Sequence, residues 1–598
     1  MSGKEFCGSI LLDRYESDKY DNVDTIDIDG SVEPQLLLDD EKISRTRTNL
    51  SEISRIVSGI RDDHRQDAED YDSYKKRGER GIVSELDIEL RSNCGEDSDV
   101  AEDIEKNSDN SNGGGESEEK DVVTVRSWLM AICGMLAAFS TWGANASYGV
   151  FLNFYLSNNV FEGANQYDYA LIGGIVVFFA QSLAPLNTVC FEVFGPRAVG
   201  YFAIVLQVAG YMLASFATKL WQIYLTQGVL VGLSFGFIFI PATLSLPSWF
   251  GEKKATAMGI MVSGAGFGGM VFSLSLNKII EITGDQRWAL RACGFITLAT
   301  ALTSVTFLVP RNYTREPLSK TFTSRFIKEK FSIIFDPKIF KDSYPLCILG
   351  AWFLLGLLGY VLMLFSYSPY ATLCGLTANQ GSHLVAIFNA SQTIGRPVLG
   401  SIADAVGRNN LSLGICLSIS ILLWAFWINA STFGSLAALA VILGFIIGIS
   451  SLMCQPMALD IVDSPKKLPA AWSGLNITGG LFCLVAEVIA LGIRGKHTSK
   501  PFLNTQIFSG CCFFACSLLL LVNREWLIRK TFQRRFLTAK SRLKELEQQH
   551  TYLKTDGVSI HELDDEVATL QERVGRYQVL LNNSALNVLV RAFYPIRV

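Results

Sequence analysis

Twelve apolar stretches, each near the ~20-residue length that a bilayer core demands, fill residues 127–523 and limit the fold more than any other feature of the chain. Their approximate bounds are 127–156, 168–191, 197–217, 220–247, 255–277, 289–309, 343–368, 380–403, 410–429, 435–460, 470–494 and 505–523. In hydrocarbon every backbone N–H and C=O must find its partner inside the chain, and stretches of this length do so as helices. The short-period alternation of a membrane barrel is absent. The expected fold class is all-α integral membrane with twelve transmembrane helices. Composition agrees: 49% of residues are hydrophobic and 18% charged, below the ~25% charge of soluble domains.

Polarity is unevenly placed. Asp and Glu outnumber Lys and Arg strongly in residues 1–120, although the whole chain carries only −5. Such a segment cannot bury enough apolar surface to fold alone, so 1–125 is expected to be a disordered acidic tail. It holds no apolar core of a secretory signal. The connection 310–342 carries eight basic residues, from Arg311 to Lys341, while 157–167, 369–379 and 430–434 carry none. Positive charge marks the cytosolic side, which puts 310–342 and both termini in the cytosol. Arg494, Lys496 and Lys500 run against that rule. The expected organisation is a six-helix half at 126–309, a basic linker at 310–342, a second six-helix half at 343–523 and a cytosolic helical tail at 524–598. In the tail Leu563, Val567, Leu570, Val574, Tyr577 and Leu581 form a heptad stripe. It suits packing on the chain itself, a coiled-coil partner or self-association through 563–581.

One half reads as a diverged copy of the other. Glu192-Val193-Phe194-Gly195 recurs in the second half as Asp404-Ala405-Val406-Gly407. Gly232 and Gly236 recur at the same offset as Gly444 and Gly448. Ala255, Gly259, Ser263 and Gly264 recur at a slightly longer offset as Ala470, Gly474, Thr478 and Gly479. Three matches in one order at nearly one offset point to two parallel six-helix halves, the layout of the major facilitator fold, whose halves rock about a central site.

Charges inside apolar stretches are the candidate site. Arg396 sits mid-stretch, and a centred Arg costs ~2.5–3.5 kcal/mol on insertion scales. A cation there suits a carboxylate or similar anion; the bland alternative is a structural pair with Glu487 or with carbonyls. Glu487, the second such charge, is the proton-coupling candidate if burial raises its pKa. Asn145, Asn389 and Gln392 join Arg396 as substrate-binding candidates, though each amide suits a helix–helix hydrogen bond equally well. The two turns, with Glu192, Gly195 and Arg197 in one and Asp404, Gly407 and Arg408 in the other, are gating candidates. Their carboxylates can pair with an Arg or cap a helix and so latch the halves; plain anchoring by snorkelling charges is the alternative. The run Ser263–Gly269 resembles a phosphate loop only superficially and suits close helix packing. Thirteen Cys show no metal spacing, and eleven lie within 133–516. No metal, cofactor, nucleophile–base set or nucleic-acid surface is expected, so the chain is not read as an enzyme.

Thr141-Trp142-Gly143-Ala144-Asn145-Ala146-Ser147-Tyr148-Gly149-Val150-Phe151, Asp168-Tyr169-Ala170-Leu171-Ile172-Gly173-Gly174 and Gly395-Arg396-Pro397 resemble the fungal branch of the monocarboxylate transporter family over about 125–525. The resemblance implies facilitated or proton-coupled movement of small organic solutes. It makes Arg396 the counterpart of a carboxylate-binding Arg. Where animal members carry a proton-carrying Asp and a Lys, this chain has Gln392 and, near the second position, Asn145 or Ala146. The expected function is alternating-access transport of a small, carboxylate-bearing solute, possible protons included, across the plasma membrane. The alternatives are a riboflavin-like cargo, the vacuolar membrane, and a non-transporting nutrient sensor on the same fold.

Overall fold

The computed structural model describes residues 124–594, apart from 159, 251–252, 312–320, 335, 342, 463–466, 494–499, 556–560 and a few positions after 582. The acidic tail expected at 1–125 therefore lies almost wholly outside the described residues. The first half comprises α1 (Val125–Leu152), the bent pair α2 (Gln166–Ser182) and α3 (Ala184–Phe194), α4 (Pro196–Ala214), α5 (Leu220–Trp249), α6 (Lys254–Thr283) and α7 (Gln286–Phe307). Two short helices, α8 (Ser324–Ile334) and α9 (Lys338–Lys341), interrupt the linker. Then come α10 (Tyr344–Leu373), α11 (Ala378–Val406), α12 (Arg408–Asn429), α13 (Phe433–Val462), α14 (Leu468–Ile493), α15 (Leu503–Thr555) and α16 (His561–Leu581). The described residues are all-helical, with no strand among them.

Among the described residues, ten helices are long and apolar enough to cross a membrane, eleven with the α2/α3 pair taken as one span. The twelfth expected crossing, α11, has 29 residues but falls short on composition, because Asn389, Gln392, Arg396 and Asp404 lie along it. The helices of each half pack together, and the halves meet along α6–α11 and α2–α14. Small residues make these seams close: a Cβ on Gly259 would strike the Arg396 carbonyl, and one on Gly174 that of Leu484.

Proline explains two irregularities. The α2/α3 pair bends by 49° at Leu183, where Pro185 has no N–H to return to the Gln181 carbonyl. Pro247, at the end of α5, likewise frees the Thr243 carbonyl. The prolines also repeat. Pro185 and Pro397 stand at the offset that relates the two turns, and Pro241 and Pro456 at the offset that relates Ala255 to Ala470.

The last membrane helix does not stop at residue 523. α15 continues to Thr555, 53 residues in all, and α16 folds back along it. Tyr577 and Leu580 are buried, and the Tyr577 ring lies 5.7 Å from Phe532. Beyond α16, the buried Arg591 pairs with Glu525 at 2.7 Å and donates to the carbonyls of Leu580 and Asn582. The heptad stripe thus packs in part within the chain, with Tyr577 buried and Val567, Leu570 and Val574 half-buried. Of the alternatives for the stripe, this is packing on the chain itself; a coiled-coil partner or self-association through 563–581 finds no support here. The Leu563 side chain lies outside the described residues.

Candidate functional site

A cavity of about 130 Å³ lies between the halves, roughly tenfold the 10–15 Å³ that one water needs. Its wall mixes aromatic rings with amides, and among the described residues Arg396 is its only Asp, Glu, Lys, Arg or His. Asn145, Asn389 and Gln392 line it too, so the structure gathers all four expected binding residues around one space. Glu487 lies on α14, but its side chain is outside the described residues.

Local structure accounts for how these groups reach the cavity. Asn389, Gln392 and Arg396 recur at three and four residues along α11, which puts them on one helix face. Arg396 is 5% exposed. Its Nη2 donates to Gln392 Oε1 at 2.7 Å and its Nη1 to the Val262 carbonyl at 2.6 Å. With its oxygen held by Arg396, Gln392 turns its Nε2 toward Asn389 Oδ1 at 3.2 Å and toward the Tyr360 hydroxyl at 3.5 Å. The cation therefore orients a relay of amides along α11. Val262 belongs to α6, so Arg396 also ties one half to the other. Both of its acceptors are neutral, and no described carboxylate lies within ion-pair reach of it. On the facing helix α1, a π-helical turn at Phe139–Gly143 precedes Asn145. Such a bulge resets which face later residues present, and Asn145 lies half-buried at the cavity wall.

At the cavity wall, which includes Thr243 and Trp472, polar contacts join the two halves. Trp472 Nε1 on α14 donates to Thr243 Oγ1 at 3.2 Å. Gln455 Nε2 on α13 donates to the Thr243 carbonyl at 3.0 Å, the acceptor that Pro247 leaves free. Sequence reasoning missed all three residues; the spacing from Thr243 to Pro247 was the available signal.

Further along this face, Asp404 reaches from α11 to the start of α6. Its Oδ2 accepts from the Thr256 amide and hydroxyl, both at 2.9 Å, and its Oδ1 lies 3.4 Å from the Ala255 amide. α6 starts after Lys253, whose side chain caps nothing. Asp404, from the other half, takes the place of an N-cap, and its negative charge meets the positive end of the helix. Arg408 pairs with Asp404 at 3.3 Å and with Asp460 at 2.7 Å. Asp460 and Thr256 were not foreseen. Gly407 has φ 106° and Gly195 φ 83°, so both turns use the left-handed region that glycine favours. Of the alternatives for the first turn, pairing of Glu192 with Arg197 is not what the structure shows. Arg197 is exposed, and Glu192 pairs instead with Lys330 of α8 at 3.1 Å, because α8 lies against the end of α3 and is nearer.

Comparison with known proteins agrees with this architecture. The profile of the Major Facilitator Superfamily matches residues 130–487. "Uncharacterized transporter ESBP6" of Saccharomyces cerevisiae is 38% identical over 79% of this chain and 68% of its own length. "Probable transporter MCH2" of the same yeast is 34% identical over 67% of this chain and 82% of its own. The solved structure of the proton:xylose symporter XylE bound to 6-bromo-6-deoxy-D-glucose superposes with a TM-score of 0.50 at 12% identity. It covers 66% of this chain and 95% of that one, a likeness of fold alone.

Proposed function

The chain belongs to the Major Facilitator Superfamily, a multi-pass membrane transporter rather than an enzyme, and from that premise we propose that its cargo is a small organic anion bearing a carboxylate. One observation carries the reading. Arg396 brings a positive charge into the cavity wall, and its protein acceptors are neutral. A buried cation demands a counter-charge, and an anionic solute supplies it. Two of the five N–H donors of the guanidinium go to protein acceptors, which leaves donors for a carboxylate. Asn145, Asn389 and Gln392 then orient the remainder of the solute, and the aromatic wall covers its apolar part. The resemblance to monocarboxylate transporters favours the same class.

Alternating access follows from the contacts that close one face. The Asp404 cap on α6 and the bonds of Trp472 and Gln455 to Thr243 must part for the cavity to open there. Arg408 holds Asp404 in position. The turns at 195 and 407 and the basic linker share this face, which we assign to the cytosol by its positive charge, with the plasma membrane as the site. Glu487, on the helix that carries the cavity residue Asn476, is our assignment for proton coupling.

The test is uptake and efflux of radiolabelled monocarboxylates and riboflavin in cells overproducing the protein, across an imposed pH gradient. Arg396→Ala is expected to abolish movement of a carboxylate while the protein stays in the membrane, and Glu487→Gln to remove its pH dependence. Movement of riboflavin but of no carboxylate, or a carboxylate flux that survives Arg396→Ala, would reject the anion reading.

A further inference from the structure

The linker helix α8 is amphipathic, and the protein covers only part of its apolar side. Phe326 and Ile327 pack with the buried Ile334 against Val189 and Val193 of α3, and Lys330 reaches Glu192. At 3.6 residues per turn, Phe331 and Ile333 fall on either side of this covered strip. They remain 46% and 49% exposed, and Phe322, just before the helix, is 64% exposed. The Phe322 ring lies 5.9 Å from that of Phe194, which ends α3. Arg325 and Lys328 occupy the opposite, outward side of the helix together with Ser324, Glu329 and Ser332.

Two observations set the depth of this helix. First, α8 packs against the last turns of a membrane-crossing helix, which puts it at the boundary between hydrocarbon and water. Second, other cations lie over aromatic rings on the same face: Arg126 over Trp249 at 5.3 Å and Lys530 over Trp526 at 5.0 Å. Aromatic rings with basic neighbours mark the headgroup level of a bilayer. A helix at that level with apolar flanks and a basic outer side has the chemistry of an in-plane membrane helix.

We propose that α8 is a docking surface for anionic phospholipid in the leaflet on the basic face. Phe322 and Ile333, which share one flank, enter the acyl boundary, while Arg325 and Lys328 meet the headgroup phosphates. The occupant is lipid rather than an acidic polypeptide, because the largely exposed Phe322 and Ile333 beside Arg325 suit a partner that is apolar as well as negative. The Glu192–Lys330 bridge and the Phe194–Phe322 contact connect this surface to the α3–α4 turn, so the lipid is read next to one of the two hinge-like turns. The inference concerns a surface away from the cavity and holds whichever solute is carried.

The experiment uses the purified full-length protein in neutral detergent. It is titrated with dioleoylphosphatidylserine or dioleoylphosphatidylcholine, and retained lipid is counted by native mass spectrometry. The wild type is expected to retain phosphatidylserine at least roughly fivefold better than phosphatidylcholine, and Arg325→Ala/Lys328→Ala to lose that preference. Both side chains lie on the outward side, so the double variant should keep the wild-type melting temperature, which separates lost binding from lost folding. Phe322→Ser/Ile333→Ser should retain less of both lipids. Equal retention of the two lipids by the wild type overturns the proposal, whether the face is bare or held by an acidic polypeptide. An undiminished preference in Arg325→Ala/Lys328→Ala overturns it as well.

Discussion

The turns at Glu192–Arg197 and Asp404–Arg408 have the same backbone and opposite attachments. Each ends a membrane helix at a glycine with positive φ, and each places a carboxylate three residues earlier. Asp404 crosses the seam and caps α6 in the other half. Glu192 turns to Lys330 in the linker. By the offset that relates Ala255 to Ala470, the counterpart of Thr256 is Ala471 at the start of α14. An alanine there lacks the hydroxyl that Asp404 finds on Thr256, and α8 packs against both α3 and α14. The chain reversal is common to both turns, whereas the carboxylate of the first is engaged by the linker. One carboxylate bridges the halves at the start of α6, while the other binds the linker.

The strongest way to break this comparison is to neutralise each carboxylate. Asp404→Asn loses charge-assisted bonds worth about 2–3 kcal/mol across the seam, which shifts the latched state against the opened state by roughly 30- to 150-fold. Deuterium exchange at the amides of Ala255 and Thr256 should accelerate accordingly. Glu192→Gln should leave the first turn of α14 unchanged. Equal acceleration at both helix starts would mean that the two turns are equivalent latches after all.

Substituting the glycines sharpens the shared part. Gly195→Ala and Gly407→Ala each force a Cβ onto backbone with positive φ and extended ψ, at about 1–3 kcal/mol. Their melting temperatures should fall by similar amounts, because the backbone demand is common to both turns. A large drop at only one of them would show that the resemblance of the turns stops at sequence.

What could be read from sequence, and what could not, divides along the same line. The apolar stretches, the repeated glycines and the charge of Arg396 are local properties, so helix positions and the gathering of polar groups on α11 were visible. The partner of a carboxylate is not local. Asp404 binds a residue 148 positions upstream, and nothing in the spacing of Thr256 announces it. That Glu192 takes Lys330 rather than an Arg was not legible, because proximity is decided by where α8 lies, and an amphipathic segment of a polar linker does not state its docking site. The tail shows the same limit. Its heptad stripe was legible, yet its use depended on α15 running on past the membrane and on Arg591 meeting Glu525, 66 residues back.

The smallest expected effect is at Lys330. Its bridge to Glu192 has partners 32% and 35% exposed, whereas Asp404 and the Arg408 that holds it are 12% and 16% exposed. Water and salt screen the first pair, and exposed ion pairs contribute about 0.2–1 kcal/mol. Lys330→Ala should therefore lower the melting temperature by less than about 2 °C, with the residual effect shrinking further as salt is raised. Arg408→Ala should be the more damaging change and the less salt-sensitive one, since it leaves Asp404 buried at the seam without its cation. If Lys330→Ala matched Arg408→Ala in size, the linker would hold the halves as firmly as the direct cap does, and the first turn would have to be counted as a latch acting through α8.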